Sequence, residues 1–443
     1  MKRALALCGL AETVLATLVT CNACSNSGSV DAGVVVDTPS DSSRDREVVK
    51  DVSTPDAGPG WRAFSELPGC DAIVPMDPAA TMKKLAWIAC PSGKPECQRF
   101  DTAGWREDML PGVINSASVS VDKKWLSFVR PLTTGKTHLA EWDLYSRTNF
   151  DPINAWVWEN DCLIQPILGE SRLTLLGVIF TTSPPKFAYA NGPMPVTASQ
   201  PTFLTFQPQP KYVWVDTSAS DTKLAFGISY GVGVDTVNAG ETTFTSATGT
   251  KLFHPLVVGS DVFAWNEYGA TGWSRELRVN ADGTSTVFRE VQGRHVSHFR
   301  SDGSTWFWVE SYGDANYQNF DQPMAQVWSA PYTNDPSTLA GSAKKLAQVD
   351  GASTYNGTEV AFDGYFAVGP RSGPYMWIVR ASDGAMKKLD IGALYGPGPM
   401  GVPTLGMQQP AFVSKDEVWG VLCGAQGSPN DLAFARFQLG SWP

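Results

Sequence analysis

One pattern returns along most of this chain. A short strand-like run leads to a turn with Asp or another small polar residue, then an aromatic-rich strand, a variable loop and a further alternating strand. It can be followed in "SASVSVDKKWLSFVRP" from Ser116, "TSASDTKLAFGISYG" from Thr217, "LVVGSDVFAWNEYG" from Leu256, "VSHFRSDGSTWFWVESYG" from Val296 and "GTEVAFDGYFAVGP" from Gly357. The period is roughly 45 residues, in the range where each unit buries its apolar face only by stacking on a neighbour. Asp-Gly pairs beginning at Asp282, Asp302, Asp350, Asp363 and Asp383 supply the positive-φ turns that tight hairpins need.

Units begin near Cys70, Val113, Asn160, Tyr212, Leu252, Arg294, Ala352 and Thr404. The pattern therefore predicts an all-β fold, a β-propeller of about eight four-stranded blades. The Pro-rich, irregular "FAYANGPMPVTASQP" in the third unit leaves seven as the alternative count. The last unit is one strand short, and "WRAFSEL", Trp61 to Leu67, is expected to fill it from the other end of the chain, hiding an open sheet edge. The units resemble WD40-like and TolB-type β-propeller repeats, whose motif reads roughly S-x-D-G-x-x-[LVI]-A-[FW], over residues 61 to 443. That motif carries a turn and a buried strand, so the resemblance implies a fold and leaves activity open.

The 443 residues are 43% hydrophobic, with 16 Trp and only 18% charged, which is ample for a large core. A net charge of -10 without a Lys/Arg cluster excludes nucleic acid as the expected partner.

Lys2-Arg3 followed by "ALALCGLAETVLATLV" reads as a signal peptide over residues 1–20, too short and too interrupted by Glu12 to span a membrane. Leu18-Val19-Thr20-Cys21 resembles the lipobox of bacterial lipoproteins, which implies lipidation at Cys21. Thr20 stands where that family prefers Gly, Ala or Ser, so cleavage and plain secretion is the alternative. Residues 25 to 60 contain no aromatic residue and are dominated by Ser, Asp, Pro and Gly. Such a segment lacks the apolar surface to order itself, so residues 21–60 are read as a tether ahead of a domain at 61–443. The protein is expected to be exported, as an outer-membrane or cell-surface lipoprotein or a secreted protein, and to touch a membrane only through its lipid anchor.

In an oxidising compartment disulfides are the default state of the remaining cysteines. Cys90 and Cys97 flank "PSGKPE" and are expected to bridge their own hairpin. Cys70 and Cys423 are expected to pair where the first and last units meet, and Cys162 has no assigned partner.

The stretch "GRHVSHFRSDGSTWFWVE", residues 293 to 310, holds two of the four histidines. Strand alternation sends His295 and His298 to opposite faces, which argues against a shared metal, and places Trp306 and Trp308 together on a buried face. No cofactor is expected, and a zinc site is the weaker reading of the cysteines, because the C-x-x-C at Cys21 and Cys24 lies at the processing site and no second ligand pair follows at zinc-finger spacing.

In a propeller the loops into the innermost strand and the loops after the second strand open on one face. By position His254, Arg294 and His295 lie at the first kind of site. Tyr230, Glu267, Tyr268, Glu310 and Tyr312 lie at the second, in the endings "ISYG", "NEYG" and "VESYG". Asn316, Tyr317 and Asp321 come from the long loop that follows, and Arg371 and Tyr375 from the equivalent loop one unit on. The expected role is binding of a protein or glycan ligand by a monomer. The alternative is a polysaccharide lyase: β-elimination of a uronic-acid polymer needs Arg or His to neutralise a carboxylate and Tyr or His to move a proton, for which His295, Tyr312 and Arg294 are the candidates. A glycosidase using Glu267 and Glu310 would depend on their separation.

Overall fold

The computed structural model describes residues 74–76, 83–101, 116–119, 124–134, 137–159, 162–168, 172–179, 186–193, 204–205, 213–219, 223–228, 231–236, 242–245, 251–268, 273–280, 284–311, 321–322, 325–350, 352–353, 359–369, 374–396, 406–423 and 432–442. Their strands form seven antiparallel sheets of four or five strands and one two-stranded pair, Asp321–Gln322 with Ala352–Ser353. In chain order the first strands of the seven sheets are Ser116–Val119, Cys162–Leu168, Val213–Ala219, Lys251–Val258, His295–Val296 continued by Arg300–Ser301, Val360–Phe362 and Gly406–Ser414. Apart from strands added from residues 74–100 to the first and seventh sheets, each sheet is a meander in which successive strands pair with their sequence neighbours.

Inner strands of consecutive sheets touch, and the circuit returns to its start. Ser116–Val119 lies against Cys162–Leu168, which meets Val213–Ala219, which meets Lys251–Val258; Trp273–Val279 of the fourth sheet meets His295–Val296 of the fifth. Arg300–Ser301 then meets Val360–Phe362, which meets Gly406–Ser414, and that strand packs back on Ser116–Val119. A cyclic stack of four-stranded meanders is a β-propeller.

The first of the eight expected units, beginning near Cys70, has no sheet of its own among the described residues. Its strands complete the two sheets that meet at the seam. Val74–Met76 adds to the outer strand Pro152–Glu159 of the first sheet, and the hairpin Trp87–Ala89/Cys97–Phe100 adds to the seventh by pairing Cys97 with Phe437 and Arg99 with Ala435. A lone hairpin is marginal in water, whereas one laid on an open edge satisfies its own backbone groups and those of that edge. The strand closing the last sheet is therefore Cys97–Phe100; residues 61–67, expected to fill that place, lie outside the described residues.

The hairpin is stapled and wedged. Cys90 and Cys97 form the expected disulfide, with Cα atoms 5.5 Å apart. Trp87 stacks on Phe100 at 4.0 Å, and Phe100 meets Phe128 of the first sheet at 5.5 Å and Phe434 of the seventh at 5.3 Å. The Arg436 guanidinium covers Trp87 at 4.5 Å, and its Nε donates to Gln98 Oε1 at 2.8 Å. On the opposite flank Ser92 N donates to the Tyr395 carbonyl at 2.9 Å, at the end of the helix Ile391–Tyr395. Gly396 sits there at φ +90°, and a Cβ on it would come within 2.8 Å of Ser92 N.

Cys423 ends the second strand of the seventh sheet, its Cα opposite Gly406 and Leu432, but its expected partner Cys70 lies outside the described residues. Cys162 opens the second sheet opposite Ile179.

The Asp-Gly turns do more than reverse the chain. Asp363 and Gly364 both have positive φ, 46° and 78°, as a tight hairpin requires. Asp302 accepts from Ser304 N and Thr305 N within its own turn, at 2.9 and 2.8 Å, and with its other oxygen from Gly364 N of the next sheet at 2.7 Å. One carboxylate thus ties two neighbouring hairpins.

Phe100→Ala is expected to lower stability by about 3 to 5 kcal/mol in denaturant unfolding, as loss of a buried core aromatic does. Deleting the chain through Asp101 uncovers the edge of Leu432–Gln438 and is expected to convert the protein into self-associating species on size-exclusion chromatography.

Candidate functional site

The strand Thr305–Ser311 alternates as the sequence predicts. Trp306 and Trp308 are fully buried against Phe263 and Phe288 of the fourth sheet, while Phe307 and Val309 face Phe366 and Val368 of the sixth. Glu310 continues the Trp face and so enters the interface with the fourth sheet. Its carboxylate accepts from Arg289 Nε and Nη2 at 3.0 and 2.6 Å, from Arg294 Nη1 at 2.9 Å and from Trp308 Nε1 at 2.9 Å. The Glu310 side chain is 0% exposed, and Arg289 lies over the rings of Trp308 and Trp328 at 5.6 and 5.8 Å. Arg294 also donates to Gln326 Oε1 at 3.3 Å, and Gln326 is the cross-strand partner of Glu310. Two guanidinium groups hold this carboxylate, so the geometry makes it an electrostatic strut between sheets.

His295 and Glu310 lie at the same end of the fifth sheet, since Val296 pairs with Glu310 and His295 with Ser311. His295 is 9% exposed, with Nδ1 3.5 Å from Ser274 Oγ. The expectation that His295 and His298 point to opposite faces is corrected by their partners. His298 Nδ1 lies 3.2 Å from Glu276 Oε1, and Ser274 and Glu276 are two residues apart on one face of Trp273–Val279. Both rings therefore reach the same strand of the fourth sheet. The cause is a break in the inner strand between His295–Val296 and Arg300–Ser301, where Ser297 Oγ accepts from Val309 N at 2.9 Å in place of a regular ladder contact. Alternation does not survive such an interruption.

The other candidates divide by location. His254 lies within Lys251–Val258, and Glu267 and Tyr268 end Asp261–Tyr268, with Glu267 opposite Lys251 and Ser274. That places Glu267 and Tyr268 at the end of the fourth sheet corresponding to His295 and Ser311 in the fifth. Asp321 belongs to the two-stranded pair, and Tyr375 begins the third strand of the sixth sheet, its ring 4.0 Å from Lys388 Nζ. Tyr230, Tyr312, Asn316, Tyr317, Arg371 and the lipidation candidate Cys21 lie outside the described residues.

Reading by position missed Arg289, Ser274, Glu276, Arg300 and Glu359. In "WSRELRV" Leu277 and Val279 pack toward the third sheet, which assigns Ser274 and Glu276 to the other face. On a two-layer protein that face would meet water. Around a ring it meets the next sheet, so the signal was an acidic residue on a face that has no solvent side.

No family model matches the chain, and no curated protein matches it. Among solved structures it is similar to the β-propeller domain of the trilobed protease from Pyrococcus furiosus, with 9% identity over 74% of this chain and 99% of that one and a TM-score of 0.45. It is also similar to a putative TolB from Agrobacterium tumefaciens, 12% identical over 56% of this chain and 86% of that one with a TM-score of 0.34. TolB from Acinetobacter baumannii is 11% identical over 74% and 86% of the two chains, with a TM-score of 0.32. The propeller architecture stands on the order and cyclic packing of the sheets.

Glu310→Ala leaves Arg289 and Arg294 facing each other in a buried interface and is expected to cost about 3 to 5 kcal/mol. Trp308→Ala is expected to cost about the same through the cavity it leaves. Both are read from denaturant midpoints.

Proposed function

We propose that the chain is an exported, seven-bladed β-propeller that binds a protein or glycan ligand on the face where first strands begin and second strands end. Cys21 anchors it by lipid, and residues 25 to 60 hold it off the surface. His254, Glu267, Tyr268 and His295, with Tyr230, Tyr312, Tyr317 and Arg371 in the connecting loops, are the residues assigned to that face. The observation that carries binding over catalysis is the state of Glu310. Glu310, at the same end of the fifth sheet as His295, accepts four hydrogen bonds, three of them from arginines, and this arrangement favours a rigid scaffold.

Incubating the purified protein with a panel of acidic polysaccharides and proteins tests the assignment. Retention of at least one ligand, without new unsaturated sugar ends, is the expected outcome. Appearance of unsaturated oligosaccharides makes the protein a lyase and overturns it. Fatty-acid labelling is expected to mark the wild type and not Cys21→Ser; equal labelling of the two, or of neither, removes the anchor.

A further inference from the structure

The break in the inner strand of the fifth sheet encloses a group of charges that the ligand-binding reading does not use. Glu276 and His298 are 0% and 2% exposed in their side chains, and His298 Nδ1 stands 3.2 and 3.3 Å from the two carboxylate oxygens. The charged groups around them are otherwise committed. Arg289, directly opposite Glu276 in the fourth sheet, turns to Glu310 together with Arg294. Arg300, two residues beyond His298, reaches the sixth sheet, where its Nε donates to the Glu359 carbonyl at 3.2 Å and its Nη2 lies 3.5 Å from the Glu359 carboxylate. Arg275 and Arg278, flanking Glu276 on its strand, pair with Glu290 and Asp261. His295 lies on the same strand face beside Ser274.

We infer that Glu276 and His298 form a proton-operated catch: with one proton shared between them they lock the fifth sheet to the fourth, and losing that proton releases the interrupted inner strand. With the proton in place the pair is either an ion pair or a neutral hydrogen bond, both of which a buried site tolerates. Without it a buried carboxylate faces an uncharged ring. Burial pushes the Glu276 carboxyl well above its ordinary range, against the lowering effects of the Arg300 charge and a hydrogen bond from the Phe299 backbone. A carboxyl raised on folding supports the fold below its unfolded pKa and withdraws that support as pH rises through the folded one. The catch is therefore engaged at lower pH and released toward higher pH.

Hydrogen exchange on the intact protein reads this directly at Ser297 and Val309, whose amides bond across the break. Protection factors, corrected for intrinsic exchange, are expected to fall by up to about tenfold per pH unit between the pH at which the released pair loses its proton and the higher pH at which the locked pair does, and to level off above that. Glu276→Gln is expected to remove that slope and His298→Gln to move it to a different pH, because burial still acts on the Glu276 carboxyl, while amides of the seventh sheet stay unchanged. Protection at Ser297 and Val309 that is flat with pH in the wild type overturns the inference, as does a slope that persists in Glu276→Gln or stays at the same pH in His298→Gln. Should a variant fail to fold, the wild-type profile and the NMR titration of the His298 ring decide: a ring that titrates without any matching change in protection also overturns it.

Discussion

The antiparallel pairing of Cys97–Phe100 with Leu432–Gln438 is the contact on which the rest of the structure depends. A stack of sheets that returns on itself must join segments more than 300 residues apart in sequence, and until it does, two sheet faces and a strand edge remain open. Loop-closure entropy grows only slowly with length, so the cost of that meeting is modest once the seam holds. The seam is built from three regions at once. Trp87 and Phe100 come from the hairpin, Phe128 from the first sheet, and Trp419 and Phe434 from the seventh; the disulfide ties the two strands of the hairpin to each other.

Closure also changes what a strand face means. In an open sheet one face of each strand meets solvent, and an acidic residue there needs no partner. Around the ring both faces of a strand are covered, so Glu276, Glu310 and Glu359 each have 0% side-chain exposure and each lies beside an arginine or histidine contributed by another strand. Buried pairs of this kind contribute little net stability compared with apolar packing but are costly to break, and they fix how neighbouring sheets register. The charge network of the fourth, fifth and sixth sheets is thus a consequence of the architecture as much as of any ligand.

The sequence by itself determined whatever depends on neighbours along the chain. The alternation of Trp306, Phe307, Trp308 and Val309, the Asp-Gly hairpin at Asp363, the disulfide across "PSGKPE" and the meander order of the units all follow from two-residue periodicity, positive-φ turn chemistry and short loop length. The shared end of the fifth sheet occupied by His295 and Glu310 was legible for the same reason. Tertiary structure decided the rest. The first unit divides between two sheets because open edges elsewhere in the ring offer its strands partners that an isolated hairpin lacks. His295 and His298 reach one strand because an interruption at Ser297 cancels the alternation that local pattern assumes. Glu310 is a strut because Arg289, from the outer strand of the preceding sheet, lies across its carboxylate, and a cross-sheet partner leaves no mark in the local spacing of residues.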